Sequence, residues 1–137
     1  MSAPSQPEIL KAISDKKSLE IFSSIAEGTG KSNTLLKQIK GLSRKQYYSR
    51  TAGMLKSGLI KRSRGYFSLS TLGIIVYHAQ LEIDSAVRNY WKLKAIDSIQ
   101  ALEGMDKGER VQLIKTIIGD EKIGNIIQNQ VEASSKK

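Results

Sequence analysis

Residue types that could do chemistry are sparse in this chain, with one exception. Gly28-Thr29-Gly30-Lys31-Ser32 ends as a phosphate-cradling loop ends, with a lysine and a hydroxyl after a glycine. Such a loop also needs a glycine where Ile25 stands and a strand before it, where an amphipathic helix is expected. His78 is the single imidazole, and with no second His and no Cys it forms no metal or general-base group. No Ser, His and Asp set and no carboxylate pair on a cleft-forming element stands out, so the reading assigns no catalytic residue, no metal site and no cofactor. The exception is charge. Between Glu27 and Glu82 lie 54 residues without an Asp or Glu, and ten Lys or Arg sit among them. That segment carries +10 against +9 for the whole chain, so everything outside it sums to −1. A solvated face normally mixes signs, and an acid-free block costs self-repulsion without structural return. The chemistry such a block performs is attraction of a polyanion, and nucleic acid is the expected partner.

The elements that must present these cations follow from local pattern. Ser14 reads as a helix cap, and Leu19, Phe22, Ile25 and Ala26 recur at helical spacing before Gly28 ends the helix. Leu35, Leu36 and Ile39 mark a short helix from Thr34 to Lys40; the turn Gly41-Leu42 follows, and Ser43 caps a helix running to Ser57. Two short helices about a glycine turn make a helix-turn-helix. At about 100° per residue the second helix gathers Tyr47, Tyr48, Thr51, Met54 and Leu55 on a core face, with Tyr48 inside and Tyr47 nearer the edge. The opposite arc holds Lys45, Gln46, Ser49, Arg50, Gly53 and Lys56, the kind of face a helix lays in a major groove. Arg44, in the first turn, reads as a phosphate clamp. Gln46 and Arg50 read as base-edge donors, Gln to adenine and Arg to guanine. Residues 58–69 predict a β-hairpin with Ser63, Arg64 and Gly65 at its turn, a wing beside the helix. Lys45, Lys56, Lys61, Arg62 and Arg64 are then mainly phosphate contacts, and Gly53 lets the helix approach the groove.

Taken in order, Leu42-Ser43-Arg44-Lys45-Gln46-Tyr47-Tyr48-Ser49-Arg50, then Met54-Leu55-Lys56-Ser57-Gly58-Leu59-Ile60-Lys61-Arg62, then Tyr66-Phe67-Ser68-Leu69-Ser70 resembles the winged helix-turn-helix of archaeal transcriptional regulators. The layout is similar to that of the ArsR and MarR groups over roughly residues 8 to 80. The resemblance implies double-stranded DNA as partner, with Arg44, Lys45, Gln46, Ser49 and Arg50 at base edges or phosphates and Arg62 and Arg64 on the wing. Thr51 departs from the larger aliphatic residue the family usually has there. The Cys and His clusters of metal-sensing relatives are missing, which argues against a metal-responsive repressor.

From Ser70 the pattern becomes one long helix, with no Gly or Pro between Ile74 and Glu103. Leu72, Val76, Ala79, Ile83, Ala86, Tyr90 and Leu93 step by four and three, the spacing of a coiled-coil seam, and predict a homodimer with Trp91 beside the seam. Beyond Asp106, which reads as a cap, come two shorter helices: Val111, Ile114, Ile117 and Ile118, then Ile123, Ile126 and Ile127, split by Gly119-Asp120. They are expected to pack on the long helix.

The expected organisation is a mainly α chain with a small β-hairpin wing: a flexible tail over 1–7, a winged helix-turn-helix over 8–70, a dimerisation helix over 71–103, C-terminal helices over 104–130 and a disordered tail over 131–137. The absence of cysteine fits a reducing compartment, and the N-terminus lacks the charged start and apolar core of a signal peptide. The longest apolar run, Leu72 to Leu81, is too short and too broken to span a membrane. The sequence therefore reads as a cytoplasmic, nucleoid-associated, sequence-specific regulator. Two alternatives stand beside it, an architectural chromatin protein with little sequence preference and a winged helix that binds protein.

Overall fold

The computed structural model describes residues 2–28, 39, 41–99 and 104–135. Among these the chain is mostly helical, with seven helices and one two-stranded antiparallel hairpin. The short helix expected over 34–40 and the Gly30-Lys31-Ser32 motif lie outside the described residues, apart from Ile39, which is buried. The chain divides into two compact units, Met1–Ala79 and Gln80–Lys137. The division falls inside a helix and not at residue 70.

The first unit opens with α1 (Gln6–Ala12), where a flexible tail was expected. The Glu8 N–H donates to Ser5 Oγ at 3.3 Å, Pro7 sits in the first turn, and Ile9 and Ile13 reach the core. The helix α2 (Lys16–Ala26) is capped by Asp15, not by Ser14. Asp15 accepts from the Ser18 N–H at 2.9 Å and the Ser18 hydroxyl at 2.8 Å. The Ser14 hydroxyl is drawn back to α1, donating to the Lys11 carbonyl at 2.9 Å. After α3 (Arg44–Lys56) come β1 (Ile60–Ser63) and β2 (Tyr66–Leu69), paired from Ile60 opposite Leu69 to Ser63 opposite Tyr66. Ile21, Phe22, Ile25, Tyr47, Met54, Leu59, Ile60 and Phe67 form the core, none more than 6% exposed. At about 2 kcal/mol for each buried side chain, this cluster decides how α3 is turned.

Ser70 closes the hairpin and opens α4 (Thr71–Arg88). Its hydroxyl donates to the Gly58 carbonyl at 2.5 Å and accepts from the Gly73 N–H at 2.9 Å.

The single helix expected from Ile74 to Glu103 is interrupted at Asn89, where φ is −99° and ψ is 17°. The Asn89 side-chain amide donates to the Ser85 carbonyl at 2.8 Å, a local bond that competes with helix continuation. A separate helix, α5 (Tyr90–Asp97), follows. The expected seam is also divided. Val76 packs on the first core, while Ala86 and Leu93 pack on the second unit's own cluster. Leu72, Ile83 and Tyr90 remain exposed, together with Ile75, Val87 and Trp91.

In the second unit α6 (Lys107–Ile118) and α7 (Glu121–Ser135) bring Ile114, Ile118 and Ile123 against Ile96. Asp106 caps α6 by accepting from the Glu109 N–H at 2.8 Å. Asp120 caps α7 through the Ile123 N–H at 3.1 Å and accepts the Ser85 hydroxyl at 2.5 Å. The Ser85 bond, with the helix N–H groups, holds the Asp120 carboxyl below its ordinary range. Helix α7 continues to Ser135 where a disordered tail was expected from 131; with no Gly or Pro after Gly124, nothing in the chain breaks it earlier. No helix among the described residues is long and apolar enough to cross a membrane.

Candidate nucleic-acid interface

The start of α3 is fixed by a reciprocal cap. The Gln46 N–H donates to Ser43 Oγ and the Ser43 N–H donates to Gln46 Oε1, both at 3.1 Å. Lys17 ties α2 to the same corner, its Nζ donating to the Gly41 carbonyl at 2.7 Å and to Gln46 Oε1 at 3.2 Å. Gln46 was expected at a base edge. Its carbonyl oxygen is instead committed to the cap. The signal was in the sequence, since Ser43 followed three residues later by Gln46 is the capping-box spacing.

Along α3 the buried residues are Tyr47, Thr51 and Met54. Tyr47 is fully buried and Tyr48 is 52% exposed, the reverse of the expected order. Relative to the expected core face the helix is rolled by roughly 30°, by the phase of the three buried positions. Tyr47 turns inward because Phe67 of β2 lies 6.4 Å from it, ring centre to ring centre, while Tyr48 meets only its edge at 5.4 Å. The small Thr51 fits a buried position because its hydroxyl donates to the Tyr47 carbonyl at 3.0 Å.

The roll carries Leu55 outward with Tyr48 and draws Gln46 and Arg50 toward the neighbouring helices. Exposed on α3 are Arg44, Lys45, Tyr48, Ser49, Ala52, Gly53, Leu55 and Lys56. Four of the predicted DNA contacts, Arg44, Lys45, Ser49 and Lys56, are thus brought onto one open face. Tyr48, Ala52 and Leu55 were not foreseen there. Arg50 is held at the flank: its Nε donates to Asp15 Oδ1 at 3.1 Å, and Nη1 lies 3.5 Å from the Gln46 carbonyl oxygen. Partial burial works to raise the Asp15 pKa. The Ser18 N–H, the Ser18 hydroxyl and Arg50 outweigh it and hold the carboxyl at about 2. Between α1 and this flank runs an open groove of about 600 Å³, lined among others by Lys11, Asp15, Ser49, Arg50 and Lys56.

No family model, curated protein or solved structure matches this chain. Its site must therefore be judged on its own geometry.

The hairpin presents Lys61, Arg62 and Arg64, all exposed. Its turn is Arg64-Gly65, with φ of 53° and 80°. Two successive left-handed residues make the tight turn that matches strand twist, and Asn-Gly suits it best. Arginine at the first position is held in a conformation that disfavours a side chain. Arg62 places its guanidinium carbon 5.6 Å from the centre of the buried Phe67 ring. None of Arg44, Lys45, Lys56, Lys61, Arg62 or Arg64 is ion-paired among the described residues. The arrangement offers cations and hydroxyls and assembles no nucleophile with its base. His78 is exposed against the edge of Tyr77.

Proposed function

We propose that this protein binds double-stranded DNA as a winged helix-turn-helix, with α3 as recognition helix in the major groove and the β1–β2 hairpin as a wing on the backbone. The observation that carries the reading is six exposed, unpaired cations on one helix and the hairpin that follows it, inside a segment without a single acid. Arg64 adds support. A charged tip residue kept at φ 53°, where Asn would be easier, is what a phosphate contact at that point would require. Arg44, Lys45, Lys56, Lys61, Arg62 and Arg64 hold phosphates, and Lys45 and Ser49 lie closest to base edges.

The protein acts as a homodimeric transcriptional regulator, two copies meeting through the exposed apolar residues of α4 and α5. Ile83, Val87, Tyr90 and Trp91 keep this role from the expected seam and its surroundings; Trp91 is 79% exposed. Two-fold symmetry then calls for a palindromic site with half-sites about one helical turn apart.

A second reading, an architectural DNA-binding protein of low sequence preference, is favoured by one specific observation. Gln46 and Arg50, the side chains best suited to bidentate base reading, are engaged inside the protein. Selection from a randomised duplex library of about 30 bp at about 150 mM salt, with competitor present, separates the readings. One enriched palindrome supports the regulator. Retention without enrichment supports the architectural protein, and no retention leaves a protein-binding winged helix.

A further inference from the structure

Arg50 is the one cation of the acid-free segment that the described structure ties to a carboxylate. The tie is partial. Only Nε reaches Asp15, and a quarter of the arginine side chain and about half of the aspartate remain exposed. Asp15 does not depend on Arg50 for its place, since the N–H and hydroxyl of Ser18 already hold both carboxylate oxygens. The guanidinium can therefore leave without loss of the α2 cap. Both groups line the groove between α1 and α3, where Lys11 and Lys56 supply two further cations and Ser49 a hydroxyl.

Resting on the DNA-binding reading, we propose that this groove is a phosphate seat and that Asp15 is its built-in competitor, occupying Arg50 until a DNA phosphate displaces it. An ion pair this exposed contributes little net stability. An arginine–phosphate bond is charge-assisted, and it also gains from the counterions that DNA releases. The exchange is therefore easily driven in one direction by a polyanion. It taxes every encounter equally and is repaid only where the duplex sits deep enough to bring a phosphate to Arg50. Asp15 is a positioning residue in this scheme: it sets when Arg50 counts, and touches no DNA itself.

The test is a salt titration of a labelled duplex of about 30 bp with the wild type, Asp15→Asn, Arg50→Gln and the double variant. Asparagine keeps the N-cap acceptor, and Asp15→Ser serves as a second charge-free variant that also keeps it. Asp15→Asn is expected to bind about threefold to tenfold more tightly and to steepen the slope of log K against log salt by about 0.9, one added phosphate contact. The double variant returns both quantities to near the wild-type values. Equal affinity and slope in wild type and Asp15→Asn, with both binding, overturns the proposal alone, as does a gain that survives in the double variant. No binding by any of the four overturns the DNA reading and this proposal with it.

Discussion

A methyl group on the α-carbon of Gly73 would lie 2.0 Å from the carbonyl oxygen of Leu59. The first turn of α4 is pressed against the strand entry, and Ser70 bonds the Gly58 and Leu59 carbonyls beside it. The obstacle is backbone, so no side-chain rotation relieves it. Gly73→Ala is expected to destabilise the first unit by about 3 kcal/mol, read as a lower urea midpoint. An unchanged midpoint would show that the contact opens freely in solution.

Tyr47 and Tyr48 are adjacent but stand in opposite environments, and their alanine variants should separate. Tyr47→Ala leaves a large cavity beside Phe67 and is expected to cost about 3–5 kcal/mol. Tyr48→Ala, at the surface, should cost less than about 1 kcal/mol. Similar losses at both positions would contradict the roll of α3.

At the hairpin tip, stability and binding should move apart. Arg64→Asn relieves a left-handed arginine and is expected to stabilise the fold by about 1 kcal/mol, seen as a higher melting temperature. The same change should lower the salt slope of duplex binding by about 0.9. A variant that is more stable and binds with an unchanged slope would remove the tip from the interface.

The pH dependence follows from Asp15, whose pKa falls from an ordinary 3.8 to about 2 on folding. A carboxyl depressed in this way stabilises the fold above the unfolded value and loses that contribution as pH falls through the folded one. The stability gap between the wild type and Asp15→Asn should accordingly be full above about pH 4 and close toward pH 2. Urea unfolding across that window measures it, and a gap that widens on acidification would reverse the assignment.

Ile83 and Val87 lie one turn apart on α4 with their side chains exposed. If they form the contact between copies, Ile83→Glu with Val87→Glu should give a monomer by sedimentation while the helical circular dichroism is retained. A doubly substituted protein that sediments as the wild type does would exclude this surface.

How far the sequence reached can be argued from these residues. The hairpin over Ile60–Leu69 was legible because glycine at its turn and short apolar runs on both sides are local signals. The caps at Ser43 and Asp106 were legible for the same reason. The helix at Gln6–Ala12 was equally local, written in Ser5, Pro7 and Glu8, and was passed over as a tail. The localisation of positive charge needed no structure, since it is a property of the order of residues.

Other features depend on partners distant in the chain. Periodicity places Tyr47 and Tyr48 in one apolar arc, and only the position of Phe67 decides which of them is buried. The Arg50–Asp15 pair spans 35 residues and follows from how α2 packs beside α3. The heptad spacing from Leu72 to Leu93 states that apolar groups recur, without naming what covers them. Folding gave Val76, Ala86 and Leu93 to the chain's own cores and left Ile83 and Tyr90 outside. Composition and local spacing thus determined the elements, their caps and the sign of the surface. The tertiary structure decided which flank of each helix meets solvent, because burial depends on contacts among residues that the sequence does not place side by side.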